Sequence, residues 1–402
     1  MNKEIAAIEF GTSKIVTIIA KKNGPDRLTF GSGTVPYDGY SNGDWNVPRQ
    51  MVQRVYDSIS AAELEAKSKV QEIYVGVPGE FIHVLTNDVE VDFGREVSIG
   101  EEQVERLMDE AAKRLRIVTY DYMVLHRTVA WYTIDGGEEM VSLPRNAYGQ
   151  KLRALVSFVV ADTPFIEDVS EMLGVLNITI LGFLSPTLGL CTLYLSEEDR
   201  KRGAVVIDCG YMNTEISAVR GDGIIYHAIL PRGGGHITVA ISEELYIPME
   251  MAESVKREYT FKPEEYDKKT PVEIVDSTGK SRSFSRDRVA QAVEDSVNEL
   301  ANMISLTLEN DIAGIIDKRS NIYLTGGGIA MMPGGKDYLA SRVRRALKLP
   351  NNRSDRLNGP DYTSALGLID LTFAALENSG GHDGSGRITN VMGNIFKSRK
   401  AR

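Results

Sequence analysis

The segment Ala204-Val205-Val206-Ile207-Asp208-Cys209-Gly210-Tyr211-Met212-Asn213-Thr214-Glu215-Ile216 decides the fold. Its apolar, largely β-branched run predicts a buried strand, an acidic residue closes it, and a glycine opens a turn into a second strand. The same design stands near the start, as Ile5-Ala6-Ala7-Ile8-Glu9-Phe10-Gly11-Thr12-Ser13-Lys14-Ile15-Val16-Thr17-Ile18-Ile19. A third version, Ile322-Tyr323-Leu324-Thr325-Gly326-Gly327-Gly328-Ile329-Ala330-Met331-Met332-Pro333-Gly334, carries a triple glycine. A hairpin turn of the first two kinds offers backbone N–H groups to a phosphate, while its carboxylate can hold a hydrated Mg²⁺. The triple glycine lets backbone approach a flat ligand closely. A glycine after a strand is usually only a turn, so the weight rests on all three occurring in this order.

Material of different texture separates these segments. Residues 85–165 contain a predicted helix from Gly100 to Leu115, capped by Ser98, and strand patterns at Tyr122–Ile134 and Leu152–Ala161. This is expected to be a small α+β insert. A second insert, 243–321, holds the charged stretch Lys256–Lys280. It ends in an expected amphipathic helix, Arg286 to Asn310, with Val289, Val293, Val297, Leu300 and Ile304 on one face. The apolar stretch Leu181–Leu195 contains Ser185, Pro186 and Thr187 and is too short to span a bilayer; a buried helix is expected there.

The last fifteen residues stand apart. Ile388, Val391, Met392, Ile395 and Phe396 recur at helical spacing and fall within an arc of about 140°. Arg387, Lys397, Arg399, Lys400 and Arg402 surround them, and no acidic side chain follows Asp383. A glycine-rich spacer, Asn378 to Gly386, precedes this piece and gives it reach rather than fixed packing. Against a net charge of −10, a cationic apolar tail is built as a helix that lies on anionic membrane lipids.

With 402 residues there is room for two or three domains, and a 25% charged content is that of a soluble globular chain. The acidic balance, with no basic stripe outside the tail, argues against nucleic acid as a partner. Met1-Asn2-Lys3-Glu4 runs straight into a strand pattern, so no N-terminal signal is expected. Cys191 and Cys209 sit in apolar surroundings and are expected to be reduced core residues of a cytoplasmic protein. The five histidines (His83, His126, His227, His236 and His382) lack metal-ligand spacing.

With the three turns in place, the chain resembles the superfamily that joins actin, the heat-shock chaperones and hexokinase, and within it the FtsA family of bacterial cell-division proteins. Ile73-Tyr74-Val75-Gly76-Val77-Pro78-Gly79 resembles the strand and turn before that family's insert. Tyr132-Thr133-Ile134-Asp135-Gly136 and Tyr148-Gly149-Gln150-Lys151-Leu152 resemble elements of the insert. Gly174-Val175-Leu176-Asn177-Ile178 is similar to the return into the first-lobe core. Gly233-Gly234-Gly235-His236-Ile237-Thr238 resembles the turn towards the adenine pocket. Asp361-Tyr362-Thr363-Ser364-Ala365-Leu366-Gly367-Leu368-Ile369 resembles the last connecting helix, and the tail after a flexible linker is a further likeness.

The resemblance implies an α/β fold of two lobes around a nucleotide cleft, each with a βββαβα core, and an FtsA-type α+β insert in the first lobe. It divides the chain into a first-lobe core (1–84 and 166–198), the insert (85–165), a second-lobe core (199–242 and 322–377), a second-lobe insert (243–321), a linker (378–386) and a membrane-targeting helix (387–402). It implies contacts to ATP from Glu9, Gly11, Thr12, Ser13, Lys14, Asp208, Gly210, Asn213, Thr214, Gly234, Gly235, Glu253, Lys256, Gly326, Gly327 and Gly328. Mg²⁺ would be held through water by Glu9 and Asp208. Arg286 and Arg288 would meet the acidic C-terminal peptide of the tubulin-like division protein FtsZ. Filament formation by self-association, tethering of FtsZ to the cytoplasmic face of the plasma membrane at the division site, and contacts with later divisome proteins are also implied.

Several residues depart from the family pattern. Glu9 and Glu215 replace aspartates. Tyr211 and Met212 stand where small residues normally let phosphate approach backbone, and Ala240 stands where relatives tend to carry Asp. Ser185, before Pro186, occupies the place of a water-positioning glutamate in the related chaperones and bacterial actins, a loss worth about 10²-fold or more in rate. Glu294-Asp295-Ser296 replaces the usual Glu-Pro-Arg of the FtsZ-binding helix. Weak or absent ATP hydrolysis is therefore expected, with no catalytic residue assigned. Two other readings share the fold: a type IV pilus assembly ATP-binding protein, which needs no amphipathic anchor of its own, and a small-molecule kinase, for which no acceptor-facing carboxylate is found.

Overall fold

The computed structural model describes residues 4–23, 27–41, 43–46, 48–115, 121–144, 146–262, 271–275, 281–350, 357 and 359–378. The chain divides into two compact units. One comprises Met1–Ala204, Ser217–His227 and Ser364–Arg402, and the other Val205–Ile216 and Ala228–Thr363.

The first unit is built on a five-stranded sheet with neighbours in the order Thr179–Leu184, Glu72–Gly76, Glu4–Phe10, Lys14–Asn23 and Arg27–Pro36. The first three strands run parallel and the last two antiparallel, with Glu9 opposite Val16 and Phe10 opposite Ile15. The apolar runs that mark these strands in the sequence are buried because helices cover them: Ile8, Ile15, Val75 and Ile73 are all fully enclosed. The helix Met51–Ala66 lies on the sheet so closely that a methyl on Gly33 would stand 1.9 Å from Ser58 O. Thr17 and Ser58 hydrogen-bond across this interface at 2.8 Å.

The expected helix at Leu181–Leu195 proves to be two elements. The strand Thr179–Leu184 ends at Ser185, and the helix Pro186–Tyr194 begins at once. Pro186 suits the first helical position, where no N–H is needed, and Ser185 caps it by accepting from Leu188 N at 3.2 Å. Apolar content alone does not separate a buried strand from a buried helix. This helix crosses Thr363–Asn378 at Gly189 and Gly367, where a methyl on Gly189 would meet Gly367 O at 2.5 Å.

Within the same unit the insert forms a three-stranded antiparallel sheet, ordered Ile82–Ser98, Tyr148–Asp162, Tyr122–Ile134, under the helix Glu101–Leu115. Leu107, Met108, Leu152, Val156 and Phe158 make its core. Ser98 is not the helix cap: it pairs with Tyr148 as the last residue of its strand, and Gly100 N donates instead to Gln103 Oε1 at 3.0 Å.

The second sheet follows the same strand order as the first: Leu347–Lys348, Ile322–Thr325, Ala204–Cys209, Thr214–Arg220, Gly223–Leu230. The turn segments of the sequence thus occupy equivalent places in two like sheets. In the second unit the helices Gly234–Leu245, Met249–Glu258 and Arg286–Thr307 follow, the last passing into a π-turn at Leu308–Ile312 three residues before the expected helix end. Val289, Val293, Val297, Leu300 and Ile304 are its buried face, as the periodicity requires.

Candidate functional site

In the first unit the turn between Phe10 and Lys14 is a tight hairpin closed by Gly11 N donating to Lys14 O at 2.9 Å. The chain after the third strand laces down on it. Tyr37 Oη donates to Gly11 O at 2.7 Å, Tyr37 N donates to Ser13 O at 3.1 Å, and a methyl on Gly39 would collide with Thr12 O at 2.4 Å. Burial pushes the Tyr37 phenol well above its ordinary range, and the charge of Glu9 adds to this, so the Glu9 carboxylate lies near it. Thr12 is buried at the turn, whereas Glu9, Ser13 and Lys14 are half-buried.

Ser185 is fully enclosed. Its Oγ is spent as the helix cap, and its backbone N–H donates to His126 Nε2 of the insert at 2.8 Å. A hydroxyl so placed does not position a water. Burial holds the His126 imidazole neutral, its pKa lowered to about 3.

The second unit gathers eleven of the expected nucleotide residues. Three glycine segments meet backbone to backbone. Gly328 N donates to Cys209 O at 2.8 Å, and Gly234 N to Gly210 O at 2.9 Å. A methyl on Gly234 would stand 2.6 Å from Gly328 Cα, and one on Gly326, at φ +87°, would stand 2.3 Å from Asp208 Oδ1. Only glycine fits these positions. Gly327 lies against Asp361, and Thr214 Oγ1 donates to Arg232 O at 2.7 Å. Burial pushes the Cys209 thiol up to about 11, so it stays protonated and inert, and both cysteines are buried thiols outside any disulfide.

Beside this knot the helix Met249–Glu258 places Glu253 and Lys256 one turn apart. Lys256 Nζ lies 2.6 Å from Glu253 Oε2, 2.9 Å from Thr238 Oγ1 and 3.0 Å from Gly234 O, and the residue is 5% exposed. Burial pulls the Lys256 ammonium down. Burial also works to raise Glu253, but hydrogen bonds from Lys256 and Thr238 outweigh it and hold the carboxyl below its usual range. At neutral pH the two form a buried ion pair. As folded, the lysine's three donors are engaged within the protein and the Tyr211 ring lies against Gly235, an arrangement unlike an open nucleotide site.

The expected peptide-binding arginines lie at the start of Arg286–Thr307. Arg288 is exposed, and its Nε donates to Glu244 Oε1 at 2.6 Å; Arg286 is half-buried. Ser296, within the altered Glu294-Asp295-Ser296 element, faces the buried side. Tyr246, 85% exposed, stands two residues beyond Glu244 on the chain and was given no role by sequence pattern. Ile388, Val391, Met392, Ile395, Phe396, Lys397, Arg399 and Lys400 lie outside the described residues. Among the described residues no helix is long and apolar enough to cross a membrane, and no cluster of three His, Cys, Asp or Glu side chains forms a metal site.

Two family models match, together over more than half of the chain: the cell division protein FtsA model over residues 205–367 and the SHS2 domain inserted in FtsA over residues 79–160. The chain is 25% identical over 377 residues to the cell division protein FtsA of Bacillus subtilis, covering 92% of this chain and 83% of that protein. It is 24% identical over 382 residues to the Escherichia coli protein of the same name, covering 91% and 90%. Among solved structures it is similar to a PilM-PilN type IV pilus biogenesis complex, with TM-score 0.61 and 17% identity over 92% of this chain and 98% of that one. It is also similar to MreB 5 of Spiroplasma citri bound to AMPPNP, with TM-score 0.53 and 11% identity over 94% and 98%. The fold is therefore the two-lobed α/β fold of the actin-like proteins, carrying the SHS2 insert.

Proposed function

The chain belongs to the FtsA family, whose matched members are named cell division proteins, and from that premise we propose that it is a polymerising adaptor that tethers FtsZ filaments to the membrane at the division site. The observation that carries this reading is the pairing of an FtsA-like body, insert included, with the cationic amphipathic sequence Arg387–Arg402. Five apolar side chains contribute only a few kcal/mol at roughly 1–2 each. The cations add about 1 kcal/mol apiece near anionic lipid. One copy therefore holds weakly and reversibly, while a filament of copies holds firmly through effective concentration. That arithmetic suits a tether that works as a polymer.

The FtsZ C-terminal peptide would be received at Arg286 and Arg288. Because Arg288 already engages Glu244, an incoming acidic peptide must exchange with that carboxylate, which favours a modest, reversible contact. ATP hydrolysis is weak or absent on this reading, since the enclosed Ser185 replaces the water-positioning carboxylate. The tether half is tested by flotation of anionic vesicles with the full chain and with a truncation ending at Gly386. Only the full chain should float, and equal flotation of both would refute the role of the tail.

A further inference from the structure

The helix Gly234–Leu245 begins where a phosphate would be expected, since the first amides of a helix have no partner within it. Here every one of those amides is taken. Gly233 N donates to His236 Nδ1 at 3.1 Å and His236 N to Gly233 O at 3.1 Å. Gly234 N donates to Gly210 O at 2.9 Å and Gly235 N to Tyr211 O at 2.6 Å. The first amides of the helix are thus satisfied, two by the facing Gly210–Tyr211 turn and two within the helix start itself.

The Tyr211 side chain completes the closure. A methyl on Gly235 would stand 2.9 Å from Tyr211 Cε1 and 3.0 Å from Cζ, so the ring lies directly on the glycine backbone. Lys256 Nζ is 5.4 Å from the ring centroid, within cation–π range, with all three of its N–H groups already engaged by Gly234, Thr238 and Glu253. The Tyr211 ring thus touches the Gly235 backbone and lies within cation–π range of Lys256, two of the groups that border this half-site.

We infer that Tyr211 is the built-in occupant of this half-site and keeps it closed to nucleotide. The inference rests on reading the half-site as the counterpart of the relatives' nucleotide site. It makes Tyr211 an intramolecular competitor: ATP enters only from the fraction of molecules whose ring has left Gly235, and its apparent affinity falls by that fraction. The contacts with Gly235 and Lys256 are made by the ring, so Tyr211→Phe keeps them, whereas Tyr211→Gly removes the occupant.

Equilibrium dialysis of the full chain against Mg-ATP, and separately against ADP, tests this. Wild type and Tyr211→Phe should show no saturable binding up to about 1 mM, and Tyr211→Gly should bind at least about tenfold more tightly. Saturable wild-type binding at or below about 1 mM, or no gain in Tyr211→Gly, would overturn the inference. Should the glycine variant fail to fold, wild type still decides: a melting midpoint that rises by several degrees in about 5 mM Mg-ATP contradicts closure, and an unchanged midpoint supports it. The tail is remote in sequence from this half-site, so vesicle flotation is read independently. A chain that binds ATP yet floats with FtsZ refutes the closure alone.

Discussion

At the scale of single residues, His126 carries a pH signature. Its Nε2 accepts from Ser185 N, so Nδ1 bears the proton, and that N–H has no hydrogen-bond partner in the protein among the described residues. Its folded pKa of about 3 lies below the ordinary 6.5, so between those values the unfolded chain binds a proton that the folded chain refuses. The neutral ring's contribution is therefore complete above about pH 6.5 and drains away as pH falls, by up to about 1.4 kcal/mol per pH unit. Asp222 acts in the opposite sense. Burial, against the pull of Arg200, raises it to about 7 from 3.8, so it adds stability as pH falls through that window. The difference between wild type and His126→Gln, whose amide oxygen can still accept from Ser185, cancels the Asp222 effect. It should fall steadily below pH 6.5; a difference flat to pH 4.5 would contradict the assignment. The departures at Ser185 and Tyr211 were legible in the sequence as wrong residue types for a working phosphate site. What each side chain does instead was not, because Gly235, Lys256 and His126 reach them through the fold and not through spacing.

At the scale of elements, the glycines divide into those that the packing requires and those that it does not. Gly33→Ala would drive a methyl to 1.9 Å from Ser58 O, a backbone atom that no rotamer change can move. A cost of about 1–3 kcal/mol is expected, seen as a melting midpoint several degrees lower. Gly174, exposed in the last turn of Thr163–Val175, would meet nothing within 4 Å as alanine. Gly174→Ala should hold or raise the midpoint, worth about 0.4–1 kcal/mol. If the two variants melt alike, the packing described for Met51–Ala66 is wrong. Strand–turn–strand segments at Glu9-Phe10-Gly11 and Asp208-Cys209-Gly210 were readable because period, acidic terminus and glycine agree on one answer. Leu181–Leu195 holds the end of a strand and a helix where the pattern suggests one helix, since a buried parallel strand and a buried helix are both continuously apolar. Ser98 is a good capping residue by type, but the strand register claims it first, in its pairing with Tyr148.

At the scale of the whole molecule, the same strand order recurs in two sheets, and the repeated turn motif in the sequence already announced that duplication. The grouping of Ser217–His227 with the first unit was not announced. Hydrogen bonds such as Ser157 Oγ to Ile224 O at 2.5 Å and His227 Nε2 to Gly79 O at 3.0 Å join this segment to residues of that unit far apart in the chain. With Ser185 enclosed as a cap, and with the half-site closed as inferred from Tyr211, steady-state ATP hydrolysis should be at background, and the rate should not rise when filaments form on vesicles. Hydrolysis at the rate of an active actin-like ATPase would sink that account. Tail-dependent tethering of FtsZ is read out by sedimenting anionic vesicles with FtsZ filaments and the full chain, beside the truncation at Gly386 and an Arg288→Glu variant. FtsZ should sediment with vesicles only when the tail is present, and less when Arg288 is reversed. Vesicles that carry the full chain but leave FtsZ in the supernatant would contradict it.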